Sequence, residues 1–160
     1  MKIETIETAW LGNRSYVVVD DADPDRPVAI AIDPPRDVDR VQQLLDTLGA
    51  RLLFVVETHW HADYVSGGLQ LAREQGATYA VPPADPSPGF SAERVIDGAE
   101  FAFGSLNIRA LHTPGHTAHH MSYVLSDESA PLAAFTGGSL LHVGVGRTDL
   151  ADPSLTRSLT

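Results

Sequence analysis

The chain has 160 residues, 43% of them hydrophobic, enough to build one folded domain and too apolar for a disordered one. Eleven Lys and Arg against 21 Asp and Glu give a formal net charge of −10, a surface that repels phosphate backbones and anionic lipid, so no nucleic acid and no membrane is expected as a partner. Cysteine is absent, which excludes disulfides, thiolate metal ligands and a cysteine nucleophile from this chain.

In chain order, residues 3–8 and 14–20 read as two strands, with Gly12–Asn13 as the turn between them. Residues 1–10 carry no basic segment followed by an apolar run, so they read as a strand and not as a signal peptide. No stretch approaches the ~20 apolar residues needed to cross a bilayer, and the cytoplasm is the expected compartment. A polar loop over 21–27 leads to a nearly continuous apolar run, 28–32, expected as a buried strand that Asp33–Pro34–Pro35 ends. Val38, Val41, Leu44, Leu45 and Leu48 fall at a period near 3.6 and predict a helix over 37–48, closed by Gly49. Residues 52–56 predict another buried strand, 65–74 a second helix stopping at Gly76, and 78–81 a short strand. Four of the 11 prolines fall within 82–89, which is therefore a loop. Strands are expected at 100–103, 106–111, 121–125 and 132–135. The order predicts an α/β (α+β) fold with mixed sheets and no internal domain boundary.

Three strings carry chemistry. The first is Thr58-His59-Trp60-His61-Ala62-Asp63-Tyr64, placed between a buried strand and a helix. Two imidazoles one residue apart converge on one ion when the backbone leaves an extended conformation, and Asp63 can supply an oxygen ligand or orient water. The competing reading makes Asp63 a helix cap and Trp60 a packing residue. The second string is Leu111-His112-Thr113-Pro114-Gly115-His116-Thr117-Ala118-His119-His120, which holds four of the seven histidines. Its Pro-Gly turn aims His116 off a strand end. His112 is in phase with Leu106, Ile108 and Ala110, and so reads as core-facing or as a support behind a metal ligand. His119 and His120 cannot both face inward, and at least one of them reads as ordinary. The third string is Phe135-Thr136-Gly137-Gly138-Ser139 with 143–150 behind it. It lacks the Gly-Lys-[Ser/Thr] ending of a phosphate loop. Arg147 can bind an anionic substrate group or pair with Asp149 or Asp152.

In this order the strings resemble the metallo-β-lactamase superfamily, whose pattern is His-x-His-x-Asp-His, then Thr-Pro-Gly-His-Thr, then Phe-Thr-Gly-Asp, then a final histidine. The resemblance implies an αββα sandwich with metal at the sheet edges. It runs from the first strand pair to Leu150. Leu140-Leu141 followed by Gly146-Arg147-Thr148-Asp149 looks most like the persulfide dioxygenase branch, which often carries rhodanese domains. Glyoxalase II-type thioester hydrolases are the near relatives.

Carried over residue by residue, His59, His61 and His116 match the three ligands of the first metal site, and Asp63 matches the second-site aspartate. Tyr64 stands where the family has its fourth histidine, and Gly138 where it has the bridging aspartate. The final histidine has no counterpart before Thr160. The expectation is therefore a single metallo-β-lactamase-like domain over 1–160, incomplete at its C-terminal end. It would hold one divalent metal ion, zinc or iron, with Asp63 also in a catalytic role and Arg147 at the substrate. Tyr64→His with Gly138→Asp is expected to raise the metal stoichiometry, or, where the backbone angles at 138 require glycine, to cost stability instead. The implied activity is that of a metalloenzyme of sulfur or thiol metabolism, acting on a small thiol persulfide, with a rhodanese domain as fused or separate partner. The alternatives are a thioester hydrolase of glyoxalase II type and a non-catalytic module that has lost the metal chemistry.

Overall fold

A computed structural model describes residues 1–8, 12–62, 64–84, 87–141 and 144–148. Six strands form the first sheet in the order β1 (Lys2–Thr8), β2 (Asn13–Asp20), β3 (Val28–Ile32), β4 (Arg51–Val56), β5 (Thr78–Val81) and β6 (Glu93–Arg94). The β1–β2 and β2–β3 pairs are antiparallel, and β3–β4, β4–β5 and β5–β6 are parallel. Helices α1 (Val38–Leu48) and α2 (Gly68–Gln75) make the crossovers from β3 to β4 and from β4 to β5, as parallel pairing demands. A second sheet, in the order β10-β9-β8-β7, is wholly antiparallel: β7 is Glu100–Phe103, β8 Leu106–His112, β9 Met121–Ser126 and β10 Pro131–Phe135. A two-stranded hairpin of β11 (Leu140–Leu141) and β12 (Gly144–Val145) follows.

Strand alternation divides the apolar side chains between two cores. Val17, Val19, Ala29, Ala31 and Val55 meet Val41 and Leu45 of α1 and Leu71 of α2. Val18, Ile30, Ile32 and Val56 face the other way, against Phe103, Ile108, Tyr123 and Leu125 of the second sheet. In β4, Leu52 pairs with Ala29 and Phe54 with Ile30, so Leu53 is an extra residue on that strand. This bulge lets Leu52 and Val55, three residues apart, both reach the helix side.

The described residues thus supply a helix layer on two sheets, three of the four layers of the αββα sandwich that the sequence implies. The expected strands and helices all form, with two local differences. Helix α2 begins at Gly68 and not at 65, because Ser66 Oγ accepts the Gly68 N–H (2.9 Å) and itself donates to Glu57. His112 is exposed, and its Nε2 meets the Ala118 carbonyl at 2.9 Å instead of facing the core. It is the last residue of β8, where the chain leaves the sandwich. Among the described residues, no helix is long and apolar enough to cross a membrane.

Candidate metal centre

Adjacent parallel strands end side by side, β3 at Ile32 and β4 at Val56, and each is followed by a buried carboxylate, Asp33 and Glu57. Open α/β sheets bind ligands at this carboxyl edge. Asp33 has φ +48, an unusual value for a residue with a side chain. Its carboxylate accepts the Thr58 N–H at 2.6 Å and the Thr58 hydroxyl at 2.7 Å. Two bonds then join this edge to the second sheet: Met121 N donates to Thr58 O (2.7 Å), and Tyr123 Oη donates to Glu57 O (2.7 Å). They bring the loop between β8 and β9, with its histidines, over the β4 terminus.

His59 is the hub. Its ring centroid lies 4.1 Å from that of His61, 4.8 Å from His116 and 5.1 Å from His120. Each ring has one nitrogen engaged by protein. The Thr58 hydroxyl proton is committed to Asp33, so at 2.9 Å from His59 Nδ1 its oxygen accepts, and Nε2 keeps the lone pair. His61 Nε2 sits 3.2 Å from Asp33 Oδ1, 3.3 Å from Glu57 Oε2 and 3.0 Å from Tyr64 Oη, which leaves Nδ1. His116 Nδ1 donates to the Arg147 carbonyl (3.1 Å), which leaves Nε2. Imidazoles that hold metals are oriented this way by a partner on the second nitrogen.

The electrostatics follow the same geometry. Burial, with the charge of His61 beside it, pushes His59 down to about 3, so it stays neutral. Burial also works against a charge on His61, but the two carboxylates outweigh it and raise its pKa to about 10. Burial lifts Glu57 to about 7. Burial opposes ionisation of Asp33 too, yet its bonds to His61 and Thr58 hold it below the usual carboxylate value. Among the described residues, the group of three donors whose atoms all lie within 4.8 Å of one another is Asp33, Glu57 and His61.

The structure places the His59 ring beside those of His61 and His116. Asp63 lies outside the described residues, as do Asp149 and Asp152. Arg147 reaches this region through its backbone carbonyl, on His116. Sequence reading missed three residues of the cluster. Asp33 read only as a strand terminator, Glu57 drew no notice, and His120 passed as one of two adjacent histidines. The available signal was a carboxylate directly after each of two neighbouring buried strands.

Gly138 has a packing reason to be glycine. A Cβ there would lie 2.3 Å from His116 Cδ2, so the imidazole fills the space that a side chain at 138 would enter. This counts against the expectation that Gly138→Asp simply restores a second ion.

A family model for the metallo-beta-lactamase superfamily matches residues 15–158, and the chain belongs to that superfamily. Over 127 residues it is 37% identical to a hydroxyacylglutathione hydrolase of Brucella anthropi, covering 78% of this chain and 47% of that protein. The chain thus spans about half the length of the curated relatives it matches. A metallo-beta-lactamase crystal structure from Staphylococcus aureus superposes with a TM-score of 0.88 at 26% identity, covering 99% of this chain and 49% of that one. The crystal structure of ETHE1 from Myxococcus xanthus superposes with a TM-score of 0.80 at 32% identity, covering 94% and 63%.

Proposed function

We propose that this chain is a metal-dependent enzyme domain of thiol metabolism that holds one divalent ion, zinc or iron, and acts on a small thiol persulfide. The observation that carries the reading is the set of three imidazoles around His59, each with its second nitrogen engaged. His59 Nε2, His61 Nδ1 and His116 Nε2 would hold the ion. Imidazole nitrogens in such a set suit a divalent transition metal, and at His61 the ion would bind in place of the proton that Asp33 and Glu57 favour there. When bound, the ion supplies Lewis-acid polarisation of the sulfur substrate or its co-substrate.

The chain's own residues do the rest. Asp33 and Glu57 fix the ring plane of His61 through Nε2, and Thr58 fixes His59 through Nδ1. Tyr64 Oη, 3.0 Å from His61 Nε2, is spent on that same nitrogen and not offered as a ligand for a second ion. With Gly138 lacking a carboxylate, a dinuclear centre has too few donors. Asp63 is assigned to accept a proton near the ion, and Arg147 to attract an anionic thiol derivative such as a glutathione conjugate. A rhodanese domain, fused or separate, would exchange sulfur with this site.

The resemblance of the Gly146-Arg147-Thr148-Asp149 string to the persulfide dioxygenase branch, beside the similarity to the ETHE1 structure from Myxococcus xanthus, favours the oxidative reading. Identity to hydroxyacylglutathione hydrolases supports thioester hydrolysis as the second reading. Elemental analysis of the purified chain tests the metal. Oxygen uptake with glutathione persulfide against hydrolysis of a hydroxyacylglutathione then separates the two activities. A chain that folds and binds neither zinc nor iron overturns both in favour of a non-catalytic module.

A further inference from the structure

His112 is exposed at the end of β8, so burial gives no reason for an imidazole there. Its ring is nevertheless held in place. Nε2 lies 2.9 Å from the Ala118 carbonyl; a carbonyl only accepts, so Nε2 carries the proton and donates. The His112 backbone N–H donates to Asp97 Oδ1 at 2.8 Å, which fastens the root of the side chain to the turn before β7. The ring thus spans residues 112–118, across the loop that presents His116. Backbone bonds close the same loop at its base, where Thr113 N–H meets His120 O at 2.9 Å, and at its tip, where Gly115 N–H meets Thr117 O at 3.2 Å. Between them, the limb at Ala118 is tied by the His112 side chain. His116 is half-buried and belongs to neither core, so its place depends on the path of this loop. Side chains carried by loops are placed less precisely than those on regular elements unless the loop is braced.

We propose that His112 is a positioning residue: its bond to the Ala118 carbonyl sets the path of residues 113–120 and so holds the His116 ring beside His59. The proposal rests on the metal-centre reading above and adds a support for one of its ligands. An ion that meets a braced loop does not have to order that loop on binding. Because His112 is exposed, its removal leaves no cavity in either core.

His112→Ala removes the donor, and His112→Gln keeps an N–H donor at a similar reach. Zinc or iron affinity by chelator competition should fall about fivefold in His112→Ala, the worth of one ordinary hydrogen bond, and return most of the way in His112→Gln. Both variants should keep the far-ultraviolet circular dichroism of the wild type. In the metal-free chain, the ring resonances of His116 should shift or broaden in His112→Ala and recover in His112→Gln, while those of the buried His59 stay where they are. A metal affinity unchanged in His112→Ala overturns the proposal and leaves the three-histidine reading standing. An equal loss in His112→Ala and His112→Gln, or His116 resonances that respond to neither, does the same. A wild-type chain that takes up neither zinc nor iron sinks the reading and the proposal with it.

Discussion

His116 sits half-buried in the loop between β8 and β9 and packs between Gly138 and Gly146 without belonging to either core. His116→Ala should therefore abolish metal binding while the far-ultraviolet circular dichroism stays that of the wild type and stability changes by less than about 1 kcal/mol. Unchanged metal occupancy would remove His116 from the ligand set. Gly138→Asp belongs to the same scale and has the opposite logic. The new Cβ would meet the His116 ring at 2.3 Å, and either the imidazole or the 137–139 turn has to move. Combined with Tyr64→His, it should lower metal occupancy and cost about 1–3 kcal/mol by overpacking. A rise to two ions per chain, measured by elemental analysis, would show that His116 can yield the space.

Among the elements, the β7–β8 hairpin is tied to the end of β2 by Asp20. This buried carboxylate accepts the Ser105 N–H and, at 3.0 Å, the Ala22 N–H. Gly104 turns the hairpin at φ +60, where a Cβ would collide with Asp20 Oδ2. Burial pushes the Asp20 carboxyl up, but the Ser105 and Ala22 bonds outweigh it and hold its pKa below the ordinary 3.8. A depressed folded-state pKa means the stabilisation is complete above the unfolded value and is lost as pH falls through the folded one. Asp20→Asn should therefore flatten the acid limb of a stability-against-pH curve below about pH 4, relative to wild type. An acid limb identical in both proteins would show that the charge on Asp20 does not matter.

At the scale of the whole molecule, the second sheet stays in register with the edge that carries His59 through few polar contacts, and the Tyr123 hydroxyl on the Glu57 carbonyl is one of them. Tyr123 is fully buried in the core between the sheets, and burial raises its pKa well above the ordinary phenol value, so it is a neutral donor. Tyr123→Phe keeps the ring and leaves the Glu57 carbonyl unsatisfied, at a cost of about 1–3 kcal/mol. The loss should appear as a lower denaturant midpoint with an unchanged slope, together with weaker metal binding as Glu57 shifts under His61. A midpoint equal to wild type would show that the sheets are held by apolar packing alone.

The amino-acid sequence by itself determined the alternation of strands and helices, because periods of 2 and 3.6 are local properties that sheet and helix geometry impose on a segment. It also determined where the histidine strings stand relative to those elements, and hence the family. Only the tertiary structure decided which nitrogen of each imidazole is left for a metal, since Asp33, Thr58, Tyr64 and the Arg147 carbonyl reach the rings across folded contacts that no spacing reveals. It decided that Gly138 is the space His116 occupies, and that of two adjacent histidines His120 is buried and His119 exposed. Direction and solvent access depend on what packs from the other sheet, and that information is distributed over the whole chain.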